Sequence, residues 1–216
     1  MRMARKFPCI AALGLLGFLA SCSDPVPPAS QGSASIHFNG PNMADAAAGK
    51  MCPPGTHWAN APTAQTADQQ TTGATRPKDT IKDGEQGRDF KCSVVASGDK
   101  FAVSGTMKVP AFDKDMKQLP LPTQIQITRL TIGKGESGAT GSLSVADFPS
   151  AGNFYQSQSS DCVFSVQSDP TTNKMLAVDA GKIWGKVTCP SVNDPSDPSS
   201  SCAIDLGYFI LENCDQ

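Results

Sequence analysis

The chain has 216 residues, of which 39% are hydrophobic, 6% aromatic and 18% charged, with 19 Gly and 17 Pro. Low charge with abundant turn formers points to short strands and loops, and a formal net charge of −2 with a pI near 5.6 excludes a basic groove for nucleic acid. No apolar run reaches the ~20 residues of a membrane-spanning helix, and two histidines leave little for imidazole chemistry.

Residues 1–21 read as an export signal. Arg2, Arg5 and Lys6 form a positive start, Cys9 to Ala20 is apolar, and the segment ends in Leu19-Ala20-Ser21-Cys22. These four residues resemble the lipobox of bacterial lipoproteins. The resemblance implies a diacylglycerol on the Cys22 sulfur, cleavage before Cys22 and acylation (palmitate or a similar chain) of the new amine. Two or more acyl chains anchor stably where one is marginal. The partner implied is therefore the membrane, reached through lipid. Ser23 lacks the Asp that retains lipoproteins of enteric bacteria at the inner membrane, so the expected location is the cell envelope at the outer membrane. Losing three basic residues with the signal makes the mature chain more acidic, which disfavours contact with anionic lipid.

Residues 22–35 are expected to form an acylated stalk, stiffened by Pro and solvated by Ser, Gly and Ala, with a reach of ~40 Å if extended. The domain then runs over 36–216. Ile36 and Phe38 suggest a first short strand. Residues 59–88 carry one large aliphatic residue, Ile81, too little to order a segment by packing, and read as a long polar loop. If Cys52 paired with Cys92, that loop would be tethered.

The clearest element is a hairpin around Gly98-Asp99, since Gly accepts the positive φ of a two-residue primed turn. Pairing Ser97 with Lys100 sets Ala96 opposite Phe101, Val94 opposite Val103, Cys92 opposite Gly105 and Phe90 opposite Met107, all on one face. A one-residue slip would scramble the faces. A strand over 123–132 has Ile125 and Ile127 in one phase and Leu130 and Ile132 in the other, which predicts a bulge near Arg129 or a strand that changes sheet. Further strands are expected over 142–148, 161–168, 175–180, 182–189 and 203–212, separated by turns at Gly133–Gly141, Asp169–Lys174 and Pro190–Ser201. Nothing after residue 88 has helical periodicity. Seven or eight short strands with such turns give an all-β fold, an antiparallel sandwich, with a barrel as the related closed arrangement.

Six cysteines remain after Cys9 and Cys22 are set aside: Cys52, Cys92, Cys162, Cys189, Cys202 and Cys214. An even number in an exported chain reads as three disulfides, with the pairing open. No CxxC pair suggests a redox or zinc site.

The remaining motifs fall to context. Gly133-Lys-Gly-Glu-Ser-Gly138 matches a dinucleotide fingerprint, but a strand follows where the phosphate-binding helix would have to start. Ser97-Gly-Asp-Lys100 matches SxxK only across the hairpin turn. A Ser-His-Asp triad would need His37 or His57, both outside the strand-rich region; His57-Trp58 reads as a packing cluster. Asp113/Asp115 and Asp194/Asp197 are loop carboxylates without the length of a calcium loop. Trp184, Tyr208 and Phe209 sit on strands, where core packing is the default and an exposed sugar- or peptide-binding row the alternative. No cofactor, metal or catalytic residue is assigned.

The stalk, the six-cysteine β domain and the stretch Gly181-Lys-Ile-Trp-Gly-Lys-Val-Thr-Cys189 resemble uncharacterised exported lipoproteins of predatory and soil bacteria and, more faintly, β-sandwich lipoprotein antigens of mycobacteria. The expected role is a non-enzymatic envelope lipoprotein displaying its β domain for binding or structural contact with an envelope protein. The alternatives are a carrier of a small apolar ligand or lipid and, third, a carboxylate-based hydrolase. An enclosed apolar cavity would favour the carrier, a buried carboxylate pair the hydrolase, and a filled core with an exposed apolar patch the display module.

Overall fold

A computed structural model describes residues 27–39, 55–59, 80–110, 122–147, 153–156, 161–168, 176–194 and 197–216, with backbone alone at 39, 55–59, 147, 153–156, 194 and 197–201. Among them are twelve strands: β1 (Gln31–Asn39), β2 (Gly55–Ala59), β3 (Ile81–Lys82), β4 (Asp89–Ser97), β5 (Lys100–Val109), β6 (Thr123–Gly133), β7 (Ser137–Asp147), β8 (Asn153–Gln156), β9 (Cys162–Ser165), β10 (Ala177–Asp179), β11 (Lys182–Asp194) and β12 (Asp197–Glu212).

The β4–β5 hairpin has the register that the alternation dictates, from Asp89 opposite Lys108 to Ser97 opposite Lys100. Gly98 takes φ 65 and Asp99 does not have positive φ, the pattern of a type II′ turn. Phe90, Cys92, Val94, Phe101, Val103 and Met107 point inward and are buried. Ala96 shares their phase but is exposed, because the hairpin tip projects past the core. In β6 the bulge falls where the phase changes. Val103 pairs with Leu130 and Gly105 with Ile127, so Thr128 and Arg129 together oppose Ser104. Arg129 adopts φ 57 there. The extra residue turns both phases inward, and Ile125, Ile127, Leu130 and Ile132 are all buried.

The strands form one antiparallel sheet rather than the two packed layers of the expected sandwich. Its order is β2-β1-β12-β11-β8-β7-β6-β5-β4. Broken strands share lanes within it. Along one edge of β11 lie β10 (opposite Lys182–Trp184), β9 (opposite Lys186–Thr188) and β8 (opposite Asn193). Along β1, β2 faces Ala34–Phe38 and β3 faces Gln31–Gly32. Of the polar segment expected over 59–88, residues 60–79 lie outside the described residues; Ile81, its one large aliphatic residue, is buried in β3 against β1.

The sheet curls until its ends approach, giving a nearly closed, barrel-like form. An ideal Cβ on Gly32 of β1 would lie 2.5 Å from the Phe90 ring of β4. One apolar cluster fills the inside, from Ala34 and Ile36 through Ile127 and Phe164 to Leu211 and Cys214.

Several expected boundaries move. β1 starts at Gln31, so the last five residues of the expected stalk are strand, and Gly32 to Ile36 are buried. The Gly133–Gly141 turn shrinks to Lys134–Gly135 because Ser137–Gly141 pairs with β9. The expected Pro190–Ser201 turn is mostly strand, with Asp194 opposite Asp197. Pro190 is absorbed at a register shift between Cys189 and Val192, where a residue without an N–H does least harm to the ladder.

Candidate functional site

Two cysteine pairs are defined. Cys162 pairs with Cys189, and Cys92 with Cys214 rather than with Cys52. Alternation placed Cys92 on the inner face of β4 but could not say which distant strand would meet it. Cys202 is also disulfide-bonded. Cys52, Cys22, the signal segment and Asp113/Asp115 lie outside the described residues, as do the side chains of His57, Asp194 and Asp197.

Three polar groupings stand out among the described residues. The first gathers at the β4–β5 and β6–β7 tips around an open depression of ≈540 Å³ lined by Asp99, Lys100, Phe101, Lys134 and Glu136, among others. Glu136, inside the fingerprint-like motif, accepts hydrogen bonds from the Gly133 N–H and, at 2.9 Å, from Lys100 Nζ. The Lys100 hydrogen bond and then the Gly133 N–H hold its carboxyl below the ordinary range, while Glu136 raises Lys100. Lys134 lies 5.9 Å from the Phe101 ring centre and 3.4 Å from Asp179. Asp179 is lowered first by the Ala180 N–H and then by Lys134. The Lys100–Glu136 and Lys134–Asp179 contacts tie one turn to another, so the motif staples neighbouring turns and has β7, not a phosphate-binding helix, behind it.

The second grouping is a row across β1, β12 and β11. Glu212 accepts from Gln31 Nε2 at 2.6 Å and from Trp184 Nε1 at 2.7 Å. Trp184 is half-buried, whereas Tyr208 and Phe209 are buried; the three do not form an exposed binding row. Glu212 carried no signal in the sequence, since its role depends on which strands flank β12.

The third is His37, whose Nδ1 lies 2.7 Å from Asp205 Oδ1. Contrary to the expectation, it stands within β1, paired with β12. An oriented imidazole is one part of a hydrolytic triad. However, Ser33 and Ser35, on the same face of β1, are fully buried and closed to substrate. No group of three His, Cys, Asp or Glu among the described residues could hold a metal ion.

No family model matches the chain, and no curated protein or solved structure is similar enough to match it.

Proposed function

We propose that the chain is an envelope lipoprotein, acylated at Cys22, that holds a rigid non-enzymatic β domain at the outer membrane for contact with another envelope component. The observation that carries the non-carrier part is the interior. The Phe209 ring lies over Gly185 and the Phe164 ring over Gly141, filling the space that a ligand would need. Disulfides fit an exported chain. Ala29 and Ser30 lie against Asn213: Asn213 Nδ2 donates to Ala29 O, and Ser30 Oγ donates to Asn213 O. A linker from Cys22 to Ser30 spans at most ~30 Å, so this end of the barrel faces the membrane. Only Val95 and Val163 are exposed large apolar side chains among the described residues, so the contact these residues offer is polar.

Fractionation of a Cys22→Ser variant tests the anchor. It should leave the membrane fraction or accumulate as uncleaved precursor. Normal processing with unchanged membrane attachment would overturn the proposal.

A further inference from the structure

β4 ends the sheet order, and four of its outward backbone groups have defined partners. Phe90 N donates to Asp83 Oδ1 at 2.8 Å. Cys92 O accepts from Asp215 N at 3.0 Å, Val94 N donates to Asp215 O at 2.9 Å, and Val94 O accepts from Gly181 N at 3.0 Å. The middle of the edge is therefore covered by Asp215, at Cys92 O and Val94 N, and by Gly181, at Val94 O. Asn213, at φ 53, turns the chain off β12 and lays it parallel to β4. A further bond runs from Cys214 N to Gly181 O at 2.9 Å.

Asn213 also donates from Nδ2 to Ala29 O and accepts at its carbonyl from Ser30 Oγ, which pins the start of the tail. Asn213, Asp215 and Gln216 are exposed, and Cys214 is its one buried side chain, joined to Cys92. The bridge thus lies at the seam, beneath a segment whose other side chains are exposed, and its cysteines are 5–6% exposed. Cys162 and Cys189, at 0% and 1%, sit between core strands β9 and β11.

We propose that the Cys92–Cys214 bridge is a redox latch: its reduction frees residues 214–216 and uncovers Cys92 O and Val94 N on the β4 edge while the rest of the barrel stays folded. The reductant is a dithiol. One of its thiolates attacks a bridge sulfur and displaces the other as thiolate, giving a mixed disulfide. Its second thiolate then closes onto the first. The dithiol ends as a disulfide, and two electrons and two protons end on Cys92 and Cys214 as thiols. The released edge exposes Cys92 O and Val94 N, groups that an extended strand can pair with.

Graded dithiothreitol treatment of the oxidised full-length protein, with thiol alkylation and mass mapping, tests the order. Cys92 and Cys214 should be alkylated while Cys162 and Cys189 stay paired. At that stage, amide exchange at Val94 and Asp215 should accelerate by about tenfold or more, with Phe164 and Val187 unchanged. A Cys92→Ser/Cys214→Ser variant should show the same local exchange in the oxidised state. If that variant does not fold, the wild-type titration decides alone. The latch is overturned if Cys162–Cys189 opens first or together with Cys92–Cys214. It is also overturned if core amides lose protection in the same step, or if Val94 and Asp215 remain protected after the bridge is open.

Discussion

Gly185→Ala tests how tightly the interior is filled. Gly185 of β11 pairs directly with Phe209 of β12. A Cβ there would stand 2.5 Å from Phe209 Cζ and 2.8 Å from Cε1, against the 3.5–4.0 Å of ordinary carbon contact. The ring cannot simply retreat. It meets Phe164 edge-on, with centroids 5.9 Å apart and planes at 77°. Phe164 Cε2 in turn lies 2.9 Å from where a Cβ of Gly141 would be. Two aromatic rings are thus held between two glycines. Replacing a strand glycine by Ala ordinarily gains roughly 0.5–1 kcal/mol from lost unfolded-state freedom. Overpacking a filled core costs roughly 1–3 kcal/mol. The net expectation is a loss of about 1–2 kcal/mol, measured by denaturant unfolding with the disulfides intact. Phe209→Leu should also lose about 1–2 kcal/mol through the void it leaves. The double variant should cost at least ~1 kcal/mol less than the sum, because Leu vacates the space that the methyl needs. A neutral Gly185→Ala, or strictly additive losses, would refute the close-packed reading and reopen the carrier.

Val103, buried between Val94 and Leu130, should lose roughly 1.5–3 kcal/mol as Val103→Ala, two methyl groups at ~0.8 kcal/mol each plus a residual void. Its exposed neighbour should stay within about ±0.5 kcal/mol as Ser104→Ala, and the reverse ranking in unfolding titrations would mean a slipped register. Glu136, with its carboxyl held below its ordinary 4.5, favours the folded state above that value and loses the contribution as pH falls through its folded value. Wild type should therefore lose stability on acidification through this range more steeply than Glu136→Gln; parallel thermal-unfolding profiles would show that the Lys100–Glu136 contact does not couple to folding.

The β4–β5 hairpin was legible in the sequence because its information is local. Gly98 fixes the turn, and period-two alternation fixes which residues face inward. The phase change at Arg129 was legible for the same reason, but it fitted a bulge or a change of sheet equally, and the pairing of β6 with β5 on both sides of Arg129 decides for the bulge. Boundaries were harder. The Ser- and Gly-rich start of β1 looks like linker by composition, yet Gly32, Ser33, Ala34 and Ser35 are buried because β12 supplies their neighbours. Small residues are chosen there by close approach, such as that of the Phe90 ring to Gly32, and composition cannot distinguish that from flexibility.

Sandwich and barrel share the same alternation, so inner-face residues alone could not separate them. What separates them is the fate of the sheet edges, which is decided by contacts between distant parts of the chain. Cys92 and Cys214 are 122 residues apart. Their pairing follows from a reversal at Asn213 that has no signature beyond one residue tolerant of positive φ. The polar groupings are of the same kind. Lys100 meets Glu136, Lys134 meets Asp179, and Gln31 and Trp184 meet Glu212 only because particular strands end side by side. Among the described residues these polar contacts are peripheral, while the main apolar cluster runs from Ala34 to Cys214, beside a small second one of Leu176, Leu206 and Tyr208. The seam, where the sheet must satisfy its last backbone groups with something other than another long strand, is therefore the place where a chemical change of two sulfur atoms can alter the surface without dismantling the core.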